Sequence, residues 1–262
     1  YALTGKGKVP WHARDGKSGR PGILAWRGSI LTYRDRRGRD IKVIPTPHPA
    51  ATFPGRDPGL EPVCKRDWQR IAAELATPEI NLPVRTHLIS PSMSDLEFLV
   101  KICEAATDTD ILVLDIENPR TKAGEAPIVC VGFALTDNLS ITIPTTKSYW
   151  GKQLDRVWET IRYICSLPVH KGAWNNFHEQ YWMWAEKQIE IVNLWWDGLY
   201  MHHTLDPSAP HSLAFCASVD TREPYWKDEA KDPDQARKYT SDMAAFYTYN
   251  GKDCCVTKEL ID

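Results

Sequence analysis

The sequence lacks any apolar run near the ~18–20 residues that a membrane-spanning helix needs. It also lacks the charged-then-apolar leader of a secretory signal. Neither a spanning protein nor a membrane partner is expected. No C-x-x-C occurs, and no Cys/His group has zinc spacing. The seven cysteines (Cys64, Cys103, Cys130, Cys165, Cys216, Cys254 and Cys255) are scattered. That scatter argues against a disulfide framework and predicts reduced thiols in a cytoplasmic setting. Internal repeats and low-complexity tracts are absent as well. An initiating Met is missing: the chain runs from Tyr1 to Asp262, the latter in helical sequence, and reads as a part of something longer.

What is there is an ordinary globular composition, 42% hydrophobic and 25% charged over 262 residues. Eleven Trp is a high count, and Trp174, Trp182, Trp184, Trp195 and Trp196 fall close together. These are expected mainly in the core, because large aromatics dominate interiors. The net charge of −2 hides an asymmetry. Residues 1–77 hold 15 Lys+Arg against 7 Asp+Glu, or +8, while residues 78–262 hold 17 against 27, or −10. A basic part beside an acidic part fits a phosphate-facing surface next to a metal-binding one, with a plain solvated surface as the alternative.

Residues 1–40 are rich in Gly, Arg and Lys. A short strand is expected at Lys42–Pro45, then a rigid Thr46-Pro47-His48-Pro49 loop that holds His48 outward. Asp67–Ala76 has helical spacing. Residues 77–92 contain three Pro without a period, so a linker and domain boundary are expected at 78–92. Ser94-Asp95-Leu96-Glu97 reads as a capping box opening a helix to about Ala106. Strands follow at Ile111–Glu117, Ile128–Leu135 and Leu139–Pro144, the last two as a hairpin. Gln153–Ser166 reads as a helix, His170–Trp174 as a strand, Asn175–Lys187 as a helix and Ile189–Trp195 as a strand. Helices are expected near Asp197–Thr204, Ser212–Ser218, Asp234–Phe246 and Lys252–Ile261. This order predicts an α/β fold with one mixed sheet.

Two short pieces carry the chemistry. In Ile111-Leu112-Val113-Leu114-Asp115-Ile116-Glu117, the two carboxylates are i and i+2 on a strand and share a face. In Tyr249-Asn250-Gly251-Lys252-Asp253, Tyr249 and Asp253 are i and i+4 on a helix and share a face. Carboxylates on a strand facing a carboxylate and a phenol on a helix suit a hard divalent cation and an attacking water.

Residues from about 93 to 262 resemble the 3′–5′ proofreading exonuclease domain of family A DNA polymerases, particularly phage-type ones. Asp115-Ile116-Glu117 matches that family's first acidic motif, Asp-x-Glu, and Tyr249-x-x-x-Asp253 its third. The second, Asn-x-x-aromatic-Asp, is replaced by Asn175-Asn176-Phe177-His178-Glu179, with Glu179 in the Asp position. The stretch Trp196-Asp197-Gly198 through His211-Ser212-Leu213 resembles the family's connecting segment. The resemblance implies a ribonuclease H-like fold and a DEDDy-type hydrolase that removes nucleotides from single-stranded DNA 3′ ends. It implies two Mg²⁺ or Mn²⁺ ions, with Asp115 bridging both, Glu117 and Asp253 completing one shell, Glu179 supporting the other, and Tyr249 orienting the water. It also implies a polymerase domain in the same or an associated chain, in a bacterial or phage-infected cell. Glu is one methylene longer than Asp, so Glu179 implies either a weakened site or a role filled through water. A ribonuclease D-like RNA exonuclease carries the same three motifs, and a weakened DNA-binding module is a further alternative. Asn175, Phe177, Trp174 and Tyr181 are candidates for contact with the strand by stacking or hydrogen bonding, or for the core.

Residues 1–77 resemble the C-terminal half of uracil-DNA glycosylase-like domains, on Ala2-Leu3-Thr4-Gly5, Trp26-Arg27-Gly28-Ser29 and Val43-Ile44-Pro45-Thr46-Pro47-His48-Pro49-Ala50-Ala51. The half that would activate water and hold uracil is not matched, so no glycosylase activity is expected. A basic DNA-binding surface including His48 and Arg27 is expected, with a mere structural turn as the alternative for the His48 loop.

Overall fold

The computed structural model describes residues 3–4, 22–57, 59–118, 127–229 and 242–262. The start of the chain holds α1 (Ile23–Trp26), the antiparallel hairpin β1 (Leu31–Arg34) and β2 (Asp40–Val43), and α2 (Leu60–Glu74). These stand apart from a six-stranded sheet of β3 (Thr86–Leu88), β4 (Ile111–Glu117), β5 (Cys130–Thr136), β6 (Leu139–Pro144), β7 (His170–Ala173) and β8 (Leu194–Asp197). The strand order is β3-β6-β5-β4-β7-β8. β5 is antiparallel to both of its neighbours; the β3–β6, β4–β7 and β7–β8 pairs are parallel. The described residues also form helices α3 (Met93–Ala105), α4 (Lys147–Trp150), α5 (Leu154–Ser166), α6 (Asn176–Lys187), α7 (Gly198–Leu205), α8 (Leu213–Asp220) and α9 (Met243–Ile261).

Alternation along β4 decides what each face meets. Leu112, Leu114 and Ile116 enter a core with α3, α5 and α6 residues such as Leu96, Ile161 and Met183. Each such buried side chain contributes about 1.5–3 kcal/mol. Val113, one step along the other face from Asp115, packs on Cys254, Cys255 and Ile261 of α9. The strand therefore aims Asp115 and Glu117 at α9 by the same period that fills the core.

Two glycines set how close α9 comes to the sheet. Gly132 pairs with Asp115 across β5–β4, and a Cβ there would collide with Asn250 Oδ1 and lie 2.6 Å from Cys254 Sγ. A Cβ on Gly251 would lie 2.6 Å from Ser140 Oγ and 2.9 Å from His87 Nδ1. Side chains at either place would push the helix off.

Several expectations need correcting. The 78–92 linker contains β3, which pairs with β6 and extends the sheet; three residues flanked by prolines show no alternation to read. The α3 cap is Ser92, not Ser94: Ser92 adopts an extended backbone after Pro91 and exchanges both capping-box bonds with Asp95. The strand expected at Ile189–Trp195 is shifted to Leu194–Asp197, and the preceding Ile189 and Ile191 are buried without joining a ladder. Met243–Ile261 is one helix through the expected break, while residues 234–241 lie outside the described set. The Trp cluster is core only in part. Trp182 is buried, but Trp184 and Trp195 are 53% and 67% exposed. All seven cysteines are buried and unpaired, and no described helix is long and apolar enough to cross a membrane.

Candidate active site

Asp115, Glu117 and Asp253 each offer a carboxylate oxygen, and these oxygens lie within 4.8 Å of one another. The chain folds so because the carboxyl end of β4 lies under α9, with Asn250 as the joint. The Thr142 hydroxyl donates to Asn250 Oδ1 (3.0 Å), which fixes the amide. Asn250 Nδ2 then donates to Asp115 Oδ2 (2.7 Å) and to the Asp115 carbonyl (3.2 Å). Three carboxylates this close repel strongly in a low-dielectric setting. Burial, followed by the Asp253 charge, pushes the Asp115 carboxyl up to about 8; Lys227 and Asn250 pull it partly back.

Asp253 is buried and both its oxygens are engaged. Trp226 Nε1 donates to Oδ1 (2.6 Å), and the Lys227 ammonium pairs with Oδ2. The same ammonium donates to the Tyr249 hydroxyl (3.2 Å) and sits 4.9 Å from that ring's centroid. Tyr249 and Asp253, one helical turn apart, thus face a common cation.

Glu179 comes from the other side. β7 runs parallel to β4, so its carboxyl end delivers Asn175 and the start of α6 to the edge where Asp115 and Glu117 lie. Asn175 takes a left-handed backbone (φ 76°), tolerated by Asn, to make the sharp entry. Asp197 at the end of β8 locks that turn by accepting from the Asn175 and Asn176 amides (3.2 and 2.8 Å). It also caps α7 through the Leu199 amide (2.9 Å). Glu179 is 2% exposed and stands outside the trio of convergent oxygens. Its Oε2 has no hydrogen-bond partner among the described residues. Burial, then the Asp115 charge, raises its carboxyl well above the usual range.

The other expected contacts fall elsewhere. Phe177 is 72% exposed and stacks on Tyr181 (5.9 Å). Both lie about half a helical turn from Glu179, so they face away from the carboxylates. Trp174 donates to the His211 carbonyl (3.1 Å). His48 is exposed but caps its own turn, its Nδ1 accepting from the Ala50 amide (3.1 Å). Arg27 is a correction: it is 3% exposed, its Nε donates to Asp67 Oδ2 (3.0 Å) and its Nη1 to Ser218 Oγ (2.7 Å). A guanidinium consumed in packing is not available to DNA.

Sequence patterning assigns no role to Asn250, Asp197, Trp226 or Lys227. Asn250 lies inside the Tyr249–Asp253 motif, which was its one signal; Trp226 and Lys227 lie in an irregular stretch with no local signal.

No protein-family model matches the sequence, and no curated protein matches it. Among solved structures the chain is similar to the catalytic core of RRP6 from Trypanosoma brucei, with a TM-score of 0.50. The fold is ribonuclease H-like. That match covers 92% of this chain and 62% of the other at 16% identity, so this chain spans about three-fifths of that core's length. Similarity extends to Escherichia coli RNase D, an exoribonuclease involved in structured RNA processing (TM-score 0.46, 13% identity, 64% of this chain, 42% of that one). It extends also to Brucella melitensis NrnC with bound Mg²⁺ (TM-score 0.44, 12% identity, 68% and 78%). At these identities the likeness is one of fold.

Proposed function

We propose that this chain is a metal-dependent 3′–5′ exonuclease acting on single-stranded DNA 3′ ends, of the proofreading type found with family A polymerases. One observation carries the reading: oxygens of Asp115, Glu117 and Asp253 converge within 4.8 Å, while a buried Glu179 oxygen that feels the Asp115 and Glu117 charges has no hydrogen-bond partner among the described residues. An all-oxygen donor set with one unpartnered carboxylate oxygen fits Mg²⁺ or Mn²⁺, which prefer such ligands. Asp115, Glu117 and Asp253 are the residues that would hold such ions, with Glu179 as a further carboxylate beside them. Such ions lower the pKa of bound water and steady the leaving oxygen of the phosphodiester. Tyr249 would orient the attacking water through its hydroxyl, which Lys227 holds in place (3.2 Å). Asn250 keeps Asp115 aimed, and Trp226 keeps Asp253 aimed.

The expected outcome for Asp115→Ala or Asp253→Ala is a loss of at least about 10³-fold in Mn²⁺-dependent nucleotide release, the scale of removing metal stabilisation. It is read on a 3′-labelled single strand; release at the wild-type rate overturns the assignment. Matched DNA and RNA ends run side by side decide the substrate. Faster release from RNA assigns the ribonuclease D-like alternative instead.

At the start of the chain, a glycosylase-like origin supplies no chemistry. The exposed Arg34, Arg36, Arg37 and Arg39 at the β1–β2 turn replace Arg27 as the basic surface offered to a phosphate backbone.

A further inference from the structure

Lys227 is the cation that reaches the buried Asp253, and it does so from outside the three acidic motifs. It lies on an irregular strap, residues 221–227, between α8 and the undescribed stretch before α9. The strap is fixed along its length. Arg85 Nε pairs with Glu223 (2.9 Å), and Arg85 also pairs with Glu259 of α9. The Tyr225 amide donates to Ser29 Oγ (3.1 Å), and Trp26 meets the Tyr225 ring edge-on at 5.2 Å. Trp226 then anchors one oxygen of Asp253 while Lys227 takes the other. Adjacent residues therefore do different work on one carboxylate. The indole is neutral and leaves Oδ2 to an incoming ion; the ammonium sits on Oδ2 and sets its own positive charge against the ion's. The lysine side chain is 19% exposed, so it has a way out to solvent.

We propose that Lys227 is a built-in counter-cation, a positioning residue that holds Asp253 and Tyr249 in the metal-free protein and is displaced from Asp253 when divalent ions bind. The inference rests on the metal-dependent reading above. Two effects follow, and they have opposite signs. The ammonium relieves repulsion among Asp115, Glu117 and Asp253, so it stabilises the metal-free fold. It also competes for Oδ2, so it weakens ion binding. A lysine serving only to hold substrate phosphate would alter neither, and a lysine that preorganises the ion site would strengthen binding.

The test titrates the whole chain with Mn²⁺ alone by calorimetry and melts it in EDTA. Wild type is compared with Lys227→Met, close in size and uncharged, and with Lys227→Arg, which keeps the charge. Lys227→Met should bind Mn²⁺ about tenfold more tightly, as expected when one modest charge-assisted hydrogen bond no longer competes for Oδ2. Its EDTA melting midpoint should fall while Lys227→Arg stays near wild type. Lys227→Gln provides a second neutral variant, and the same tightening is expected of it. Equal or weaker Mn²⁺ binding by the neutral variants overturns the role of Lys227 and leaves the nuclease reading standing. Absence of Mn²⁺ binding by every protein, wild type included, overturns that reading and the inference with it.

Discussion

Glu179 shows how one side chain departs from a pattern and still belongs to its place. Asp197 clamps the two amides that begin α6, and Asn175 makes the turn into it, so the helix cannot advance to compensate for a shorter acid. Glu179→Asp would draw the carboxylate back by about 1.5 Å, one C–C bond. The expected outcome is a roughly tenfold slower Mn²⁺-dependent rate in single-turnover measurements, given that catalytic groups tolerate only about 0.5 Å of misplacement. A faster rate would show that Glu is a defect in this chain. That Asp115 and Glu117 share one face, and Tyr249 and Asp253 another, was legible in the sequence, because period 2 on β4 and period 3.6 on α9 fix which face each occupies; Glu179, on α6, came only from the family resemblance. Their supporting shell was not. Thr142 and Asn250 meet over 108 positions of sequence, and Trp226 and Lys227 meet Asp253 from irregular backbone, where no period exists to read.

Among elements, β3 is the piece that sequence patterning concealed, and it is not a passive edge. Arg85, just before it, clamps the strap to α9, and His87 within it bonds Ser140 (2.7 Å) beneath Gly251. Burial, with Lys252 and Arg85 adding like charge, brings His87 down from 6.5 to about 4. The unfolded chain takes up this proton near pH 6.5, the native one only near 4. Between those values the unfolded state binds more protons, so the contribution is whole above pH 6.5 and is lost as pH falls towards 4. Urea melts of the wild type should therefore lose stability across that window more steeply than those of His87→Gln. Equal slopes would exclude His87 as the cause. The hairpin of β5 and β6 and the run from β7 into α6 were legible because turn residues and apolar runs bracket them; β3, three residues long, offers too little sequence for either signal.

At the scale of the whole molecule, residues 22–76 are joined to the rest by buried charge. Asp67, which also accepts from Thr46, holds Arg27 in place beneath α8; Arg27 then donates across to Ser218 Oγ (2.7 Å) and Arg70 to the Ser218 carbonyl (2.8 Å). Asp67→Ala would strand the Arg27 guanidinium without its partner, at a cost of about 3–5 kcal/mol. The melting midpoint should fall by roughly 10 °C, and Arg27→Met together with Asp67→Leu should recover most of it. A protease cut within 78–92 should likewise yield no folded N-terminal fragment; a stable one would show that the charged seam is dispensable. The sequence marked this part as foreign by its charge, yet could not show that Arg27 and Arg70 turn inward while the β1–β2 arginines stay exposed. The strap that holds Asp253 leans on Trp26 and Ser29 at one end and on the carboxylate at the other. The accessory part is thus a rein on that carboxylate: a displacement of Trp26 or Ser29 is passed along the strap to Asp253, so neither part can be exchanged without retuning its mate.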